Sequence, residues 1–413
     1  MRAPGTPPFA AAITGLGIVS AAGIGAKATW DSVLHGSVGH ITRLPALAGL
    51  PQDFLYDIPD FDADAVLGRS RARQMDRFAQ LAVAAAREAL ADAGLEPSDW
   101  DATRVAVLVG SSHGGLTVYD EQTRTMNDKG DRRVSPLLTP LSLLNAAAGS
   151  VCLDTGARGP SMGLAAACAS GATAIGTARM MLQAGLCDIA IAGGAESMRS
   201  RALFASCCRA RAVSTRTGDP AAALRPFDAD RDGMVSGEGA GMLILERPEH
   251  ARARGADIRA LVTGYGASSD GHSPAAPDPT GAGIERALRD ALADAGLAPS
   301  DLDMVNAHGT ATIAGDAIEA AMLHRVLPHH PPVTSTKAVT GHTLGASGAI
   351  ETALTVLAME TSAVPPTANL ERQDPDVHLD IPTGRARPAR LAAAAKTSLG
   401  FGGHNAALVL TRA

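Results

Sequence analysis

The sequence predicts a layered α/β protein assembled from two related halves, and three observations carry that prediction. Residues 87–101 (REALADAGLEPSDWD) recur as residues 289–303 (RDALADAGLAPSDLD), with 12 of 15 positions identical at a constant offset of 202. Residues 11–20 (AAITGLGIVS) have a looser echo in residues 260–269 (ALVTGYGASS). Between these landmarks, short apolar runs alternate with amphipathic ones, the signature of strands alternating with helices. The period is far too long for a solenoid of small repeats.

Taken in order, the first apolar stretch, Ala11 to Val19, reads as a strand and not a signal peptide, because glycines interrupt it and no basic segment precedes it. Each repeat copy reads as the end of an amphipathic helix, an Ala-Gly stop and a Pro-Ser turn. Each then runs into an apolar strand, residues 104–110 in one half and 303–307 in the other. Residues 169–186 read as a buried helix stopped at Gly185. Residues 1–258 form the longer half and 259–413 the shorter, so the first must hold insertions, expected at 117–160 and 199–232.

Composition narrows the function classes. With 46% hydrophobic and 19% charged residues, the chain is ordinary for a globular protein, and no segment reaches membrane-spanning length. A net charge of −6 argues against nucleic acid as a partner, so an acidic protein partner would need a local basic patch. Five cysteines without metal-ligand spacing fit a reducing cytoplasm. Of the 36 basic residues only Lys27, Lys129, Lys337 and Lys396 are lysines, so a retained lysine needs a reason.

Cys168 is the leading candidate for chemistry. It lies in residues 161–171 (SMGLAAACASG), between an extended stretch and a helix, where unpaired N–H groups at a helix start lower a thiol's pKa. A buried, inert cysteine is the competing reading. Two histidines flanked by glycine follow, His308 in AHGT and His342 in TGHT, with Lys337 five residues before the second. Each alone is more often a structural turn histidine. A hydrolase needs one imidazole beside its thiol, and two point to carbon–carbon bond formation on thioesters.

With those residues go the segments GPS (159–161), ACASG (167–171), GGAE (193–196), RPFD (225–228), RDG (231–233) and GEGAG (237–241). They continue with NAHGT (306–310), STK (335–337), GH (341–342), PPT (365–367) and GFGGHN (400–405). In this order the chain resembles the elongating β-ketoacyl-acyl-carrier-protein synthases of the thiolase superfamily over nearly its whole length. The resemblance implies a five-layer αβαβα fold and a decarboxylative Claisen condensation. Cys168 would carry the acyl group, with the backbone N–H groups of Cys168 and Phe401 as oxyanion hole, and His308 and His342 would stabilise the malonyl-derived enolate. Lys337 would support the histidines with Glu319 as counter-ion. Thr310 and Thr312 would bind the pantetheine amides, beside a loop at residues 270–280. Phe401 would act as a gate, its turn freed by Gly400, Gly402 and Gly403.

The same resemblance places His113, Cys207, Met234 and Leu399 at the acyl pocket. His113, Cys207 and Leu399 depart from the apolar or bulkier residues usual there, which opens the pocket to functionalised or unsaturated chains. Arg73, Arg132, Arg133 and Arg211 would form the patch for an acidic acyl carrier protein. The implied assembly is a homodimer paired through residues 188–196, or a heterodimer with a related subunit. No metal and no organic cofactor beyond the carrier's phosphopantetheine are implied. Fatty-acid elongation is the leading activity, and a type II polyketide or polyene ketosynthase the alternative. Less favoured are a non-catalytic chain-length partner, a degradative thiolase, which needs a second cysteine, and an initiating synthase, which uses Cys-His-Asn.

Overall fold

The computed structural model describes residues 9–413. Its main sheet is built from ten principal strands in two sets of five. The first half supplies β1 (Ala11–Ser20), β2 (Val105–Gly110), β3 (Ser161–Leu164), β4 (Ile189–Glu196) and β5 (Gly239–Glu246). The second supplies β6 (Ala260–Ser269), β7 (Met304–Asn306), β8 (Val333–Thr334), β9 (Ala393–Gly400) and β10 (His404–Thr411). The orders are β3-β2-β4-β5-β1 and β8-β7-β9-β10-β6. In both, the first three strands run parallel and the last two join antiparallel. The sets meet where Ala11–Ile13 pair with Ala260–Val262.

Six helices complete five layers: α1 (Arg77–Asp92), α2 (Ala146–Thr155), α3 (Ser170–Gln183), α4 (Ala282–Ala295), α5 (Ile313–Val326) and α6 (Ser347–Thr361). Strand alternation divides the apolar side chains between cores. Val105, Val107 and Val109 of β2 face α1 and α2, among Phe78, Leu81 and Val151. Ala106 and Leu108 face the inner layer, where Ile175 and Leu182 of α3 meet Ile350 and Leu354 of α6. Leu288 and Leu292 of α4, with Leu323 of α5, cover Val305 and Val409. The expected αβαβα architecture is thus present.

Duplication is visible in the packing itself. A Cβ on Gly17 would lie 1.9 Å from the Ala85 carbonyl oxygen of α1, and one on Gly266 would lie 2.0 Å from the Ala287 carbonyl oxygen of α4. Both GxG strands let their helix approach so closely that no side chain fits. The repeated turns match too: the amides of Glu96 and Ala298 donate to Asp99 (3.0 Å) and Asp301 (2.8 Å).

The insertions differ in part from expectation. Within residues 117–160, Ala146–Thr155 belongs to the repeat as α2, so the excursion there is the helix Leu116–Lys129 and the turns that follow. Residues 199–232 do form one, around the helix Arg201–Arg209. A third, between β1 and α1, carries the Ile41–Arg43 and Phe54–Tyr56 hairpin and went unnoticed for want of any internal echo. The expected dimer strand is also corrected. β4, within residues 188–196, is bonded on both sides, by β2 and β5. The free edge of this half is β3, with Met162 exposed on it and Leu153 exposed on α2 beside it.

Candidate active site

The candidate groups emerge at the carboxyl ends of the parallel strands, where α/β sheets build their sites. Cys168 sits in the turn from β3 to α3, two residues before the helix begins. Ala167 before it holds φ 48°, and Ser170 Oγ accepts the Ala166 N–H at 2.9 Å and donates to the Ala167 carbonyl at 2.6 Å. This tie points the sulfur into a buried cluster with Met198, Phe204, Met234 and Leu344.

His308 follows β7. Glu319 of α5 accepts the His308 and Gly309 N–H groups, each at 2.8 Å, and the Thr397 hydroxyl at 2.7 Å. His342 follows the short helix Lys337–Thr340, its N–H donating to the Val235 carbonyl at 2.9 Å. His342 Nε2 lies 3.2 Å from Cys168 Sγ, and its Nδ1 lies 3.0 Å from Ser347 Oγ, which in turn meets Thr343 Oγ1 at 3.1 Å. The two imidazoles stand edge to face, centroids 5.3 Å apart. The sulfur and both histidines bring their ligating atoms within 4.8 Å of one another.

Electrostatics define the state of these groups. Burial lowers both histidines well below the usual imidazole range, and the positive charges of Lys337 and Lys396 lower them further. Both are therefore neutral at pH 7. By donor type a thiolate and two imidazoles would suit zinc. The two ammoniums behind the imidazoles oppose a dication and favour an anion.

The expected activation of Cys168 is not found. Burial pushes its thiol up to about 12, and the Glu196 carboxylate adds to this, outweighing Lys337 and the Phe401 N–H that donates to the sulfur. A helix start can be read from sequence, but the depth at which its nucleophile is buried cannot.

Lys337 is fully buried and donates to the His308 carbonyl at 2.5 Å. Its counter-ion is Glu351 of α6, not Glu319. The Glu319 carboxylate is instead committed to the backbone that presents His308. Lys396 of β9 reaches the other Glu351 oxygen at 2.8 Å. Sequence reasoning missed Glu351, Lys396 and Ser347; the scarcity of lysine was the one available signal for Lys396.

Phe401 lies exposed in the turn between β9 and β10. Its N–H group faces the sulfur, and the neighbouring Gly400 is so close that a Cβ would lie 2.6 Å from the Ala166 carbonyl oxygen. The loop at residues 270–280 binds this turn, since Gly402 donates to the Pro274 carbonyl and Asp270 to the Gly403 carbonyl, each at 2.9 Å. The Thr310 and Thr312 hydroxyls lie 3.0 Å apart, on the approach from His308 to α5.

Of the pocket candidates, Met234 and Cys207 join the Cys168 cluster. Leu399 does not, because strand alternation turns it into the outer core beside α4 and α5. His113 Nδ1 lies 4.0 Å from buried Glu196, an ion-pair separation too long for a hydrogen bond. Glu196 accepts the Ser112 and Gly345 N–H groups at 2.6 and 3.2 Å. Arg73, Arg132, Arg133 and Arg211 are all exposed, on three separate excursions. Among the described residues no helix is long and apolar enough to cross a membrane.

Known proteins resemble this chain in sequence and fold. Residues 10–251 match the N-terminal domain of β-ketoacyl synthases and residues 259–371 the C-terminal domain. The 3-oxoacyl-acyl-carrier-protein synthase 2 of Synechocystis sp. is 41% identical over 405 residues, 97% of each chain. That of Staphylococcus aureus is 40% identical over 411 residues, again 97% of each. Among solved structures, the ishigamide ketosynthase/chain length factor superposes with TM-score 0.92 at 33% identity. A β-ketoacyl synthase from Burkholderia phymatum gives 0.91 at 35%. A type II polyketide ketosynthase in complex with its acyl carrier protein gives 0.90 at 29%. Each of the three covers 98% of this chain and 100% of its own. With two domain models matched in succession onto a fold that gathers a thiol and two neutral imidazoles, the chain belongs to the β-ketoacyl synthase family.

Proposed function

We propose that this chain is an elongating β-ketoacyl-acyl-carrier-protein synthase in which Cys168, His308 and His342 perform the condensation. The observation that carries this reading is a buried sulfur 3.2 Å from His342 Nε2, with a second uncharged imidazole edge to face beside it. In the first half-reaction the Cys168 sulfur bonds to the acyl carbonyl as the carrier thioester breaks, and the thiol proton passes to the departing pantetheine thiol. The thiol must give up its proton as the sulfur attacks, and the departing pantetheine sulfur takes it up; because one thioester replaces another, the exchange needs no strong driving force. The N–H groups of Cys168 and Phe401 hold the oxyanion.

Malonyl carrier protein then enters. Its carbon–carboxylate bond breaks, CO₂ leaves, and the electron pair passes into an enolate whose oxygen accepts N–H bonds from His308 and His342. A hydroxyl relay from Thr343 through Ser347 to His342 Nδ1 would leave the Nε2 proton aimed at the site. The enolate carbon attacks the acyl-Cys168 carbonyl, and the released thiolate takes up one proton. Imidazoles this reluctant to hold a proton are poor general bases toward water, which favours condensation over hydrolysis.

The remaining assignments follow the same reading. Thr310 and Thr312 bind the pantetheine arm, Phe401 gates the acyl pocket, and Arg73, Arg132, Arg133 and Arg211 meet an acidic acyl carrier protein. Lys337 steadies the His308 loop. The free β3 edge and exposed Leu143, Leu144, Leu153 and Met162 support docking of a second copy or a related subunit, in the cytoplasm. No organic cofactor is required.

The test is conversion of acyl- and malonyl-carrier protein to the β-ketoacyl product with release of one CO₂. Absence of product, or product from Cys168→Ala, would refute the proposal. A ketosynthase of a polyketide or polyene pathway is the second reading, favoured by the polar pair His113–Glu196 and by Cys207 near the sulfur. Carrier-bound chains of graded length and unsaturation separate the two, and fast use of saturated long chains would sink the specialised one. Acylation of Cys168, read by mass spectrometry, would exclude a non-catalytic partner.

A further inference from the structure

We propose that Lys396 is a second positioning residue of the condensing site, acting through Glu351 and Lys337 to keep His308 and His342 as uncharged hydrogen-bond donors. This rests on the condensing function proposed above. Glu351 is 1% exposed, with Lys337 on one carboxylate oxygen and Lys396 Nζ 2.8 Å from the other. Lys337 in turn holds the His308 carbonyl. Lys396 also donates to the Thr397 carbonyl, and Thr397 donates to Glu319, so the charge is tied into the backbone on both sides of His308.

Lys337 and Lys396 are the charged groups that bear on both imidazoles. Two buried ammoniums meet at Glu351, and Glu319, which accepts the His308 and Gly309 N–H groups, is a further carboxylate whose charge reaches Lys396. The imidazoles are thus faced by Cys168 ahead of α3, Lys337 on its short helix, Lys396 on β9, Glu319 on α5, Glu351 on α6, and Glu196 on β4 beyond the sulfur. A second cation is expensive to bury. Yet of four lysines in an arginine-rich chain, Lys27 and Lys129 are exposed and the other two converge on Glu351. A structural salt bridge needs one lysine. The second places another positive charge close to where an enolate and an oxyanion develop, and it repels protons from both imidazoles.

The test titrates the imidazoles directly, by NMR of ¹³C-labelled histidine in the full chain, with His308→Gln and His342→Gln used to assign the signals. In Lys396→Met both titrations should move upward, and Lys396→Arg should return them toward the parent. Burial and Lys337 still lower both imidazoles in Lys396→Met, so they should stay below the ordinary value of about 6.5, and condensation by the variant should fall earlier than the parent's as pH drops, with the divergence appearing below about pH 6. Cys168 acylation should stay within about threefold of the parent, since it does not use the donors. If Lys396→Met does not fold, Lys396→Gln keeps a polar head for Glu351 and Thr397 and serves instead. Unmoved titrations in a folded variant would overturn the proposal. The NMR readout needs no substrate, so a chain that fails to condense malonyl units would refute the function while leaving this result standing.

Discussion

Replacing Glu351 with glutamine is expected to destabilise the protein by an amount that shrinks as pH rises. The carboxylate is buried between Lys337 and Lys396, so its loss strands two ammoniums. Breaking one side of a buried ion pair costs about 3–5 kcal/mol. A second route to the same figure is deprotonation. A lysine can shed its proton instead, which at pH 7 costs about 4.6 kcal/mol from an ordinary lysine value near 10.4. Lys396 would yield first, because burial already lowers it. The expected loss at pH 7 is therefore about 4–5 kcal/mol. At pH 9 the same deprotonation costs only about 1.9 kcal/mol, so the gap between parent and variant should narrow by about 2.7 kcal/mol. The direction follows from proton counts: the unfolded variant keeps a proton that the folded one has lost, so its stability rises with pH. Denaturant unfolding at pH 7 and pH 9, followed by circular dichroism, measures both gaps. A gap that is the same at both pH values, or smaller than about 1 kcal/mol at pH 7, would refute the charge arrangement argued here.

Other outcomes follow from the same geometry. Cys168 should alkylate slowly at pH 7 and about ten times faster per pH unit up to pH 10, with no plateau near 9, because burial raises its thiol to about 12; iodoacetamide labelling read by mass spectrometry checks this. Glu319→Gln turns an acceptor into a donor facing the loop amides, and should cost about 1.5–3 kcal/mol in a thermal melt. The same change should slow condensation more than Cys168 acylation. Gly266→Ala places a methyl 2.0 Å from the Ala287 carbonyl oxygen, forcing α4 off β6, and should lower stability by about 3 kcal/mol or more.

Much of the molecule was legible in the chain, for reasons that differ by element. The two halves could be read because duplication left near-identical helix ends and turns, and the GxG pairs mark strands that a helix touches. Cys168, His308 and His342 could be read because each sits in a short local motif. Their support could not. Glu351 lies on α6 and Lys396 on β9, and nothing in their spacing from Lys337 announces that three elements converge. The family resemblance put Glu319 in the counter-ion role, whereas its carboxylate serves the backbone. Leu399 and β4 show a related limit. An apolar position facing the pocket and one facing an outer core look alike, as do an interior strand and an interface strand.

The matching GxG contacts also bear on how the chain reaches this structure. Helices α1 and α4 are nearly interchangeable at their C-terminal ends, so each could begin to dock on the other's strand during folding. Chain connectivity separates the outcomes. Roughly 55 residues separate β1 from α1, whereas about a dozen separate β6 from α4, a difference worth about 1.4 kcal/mol of loop-closure entropy in favour of the second pairing. The shorter half can therefore close first and remove the decoy helix from competition. The hairpin-bearing excursion before α1 then delays the first half's own pairing until its one remaining partner is free.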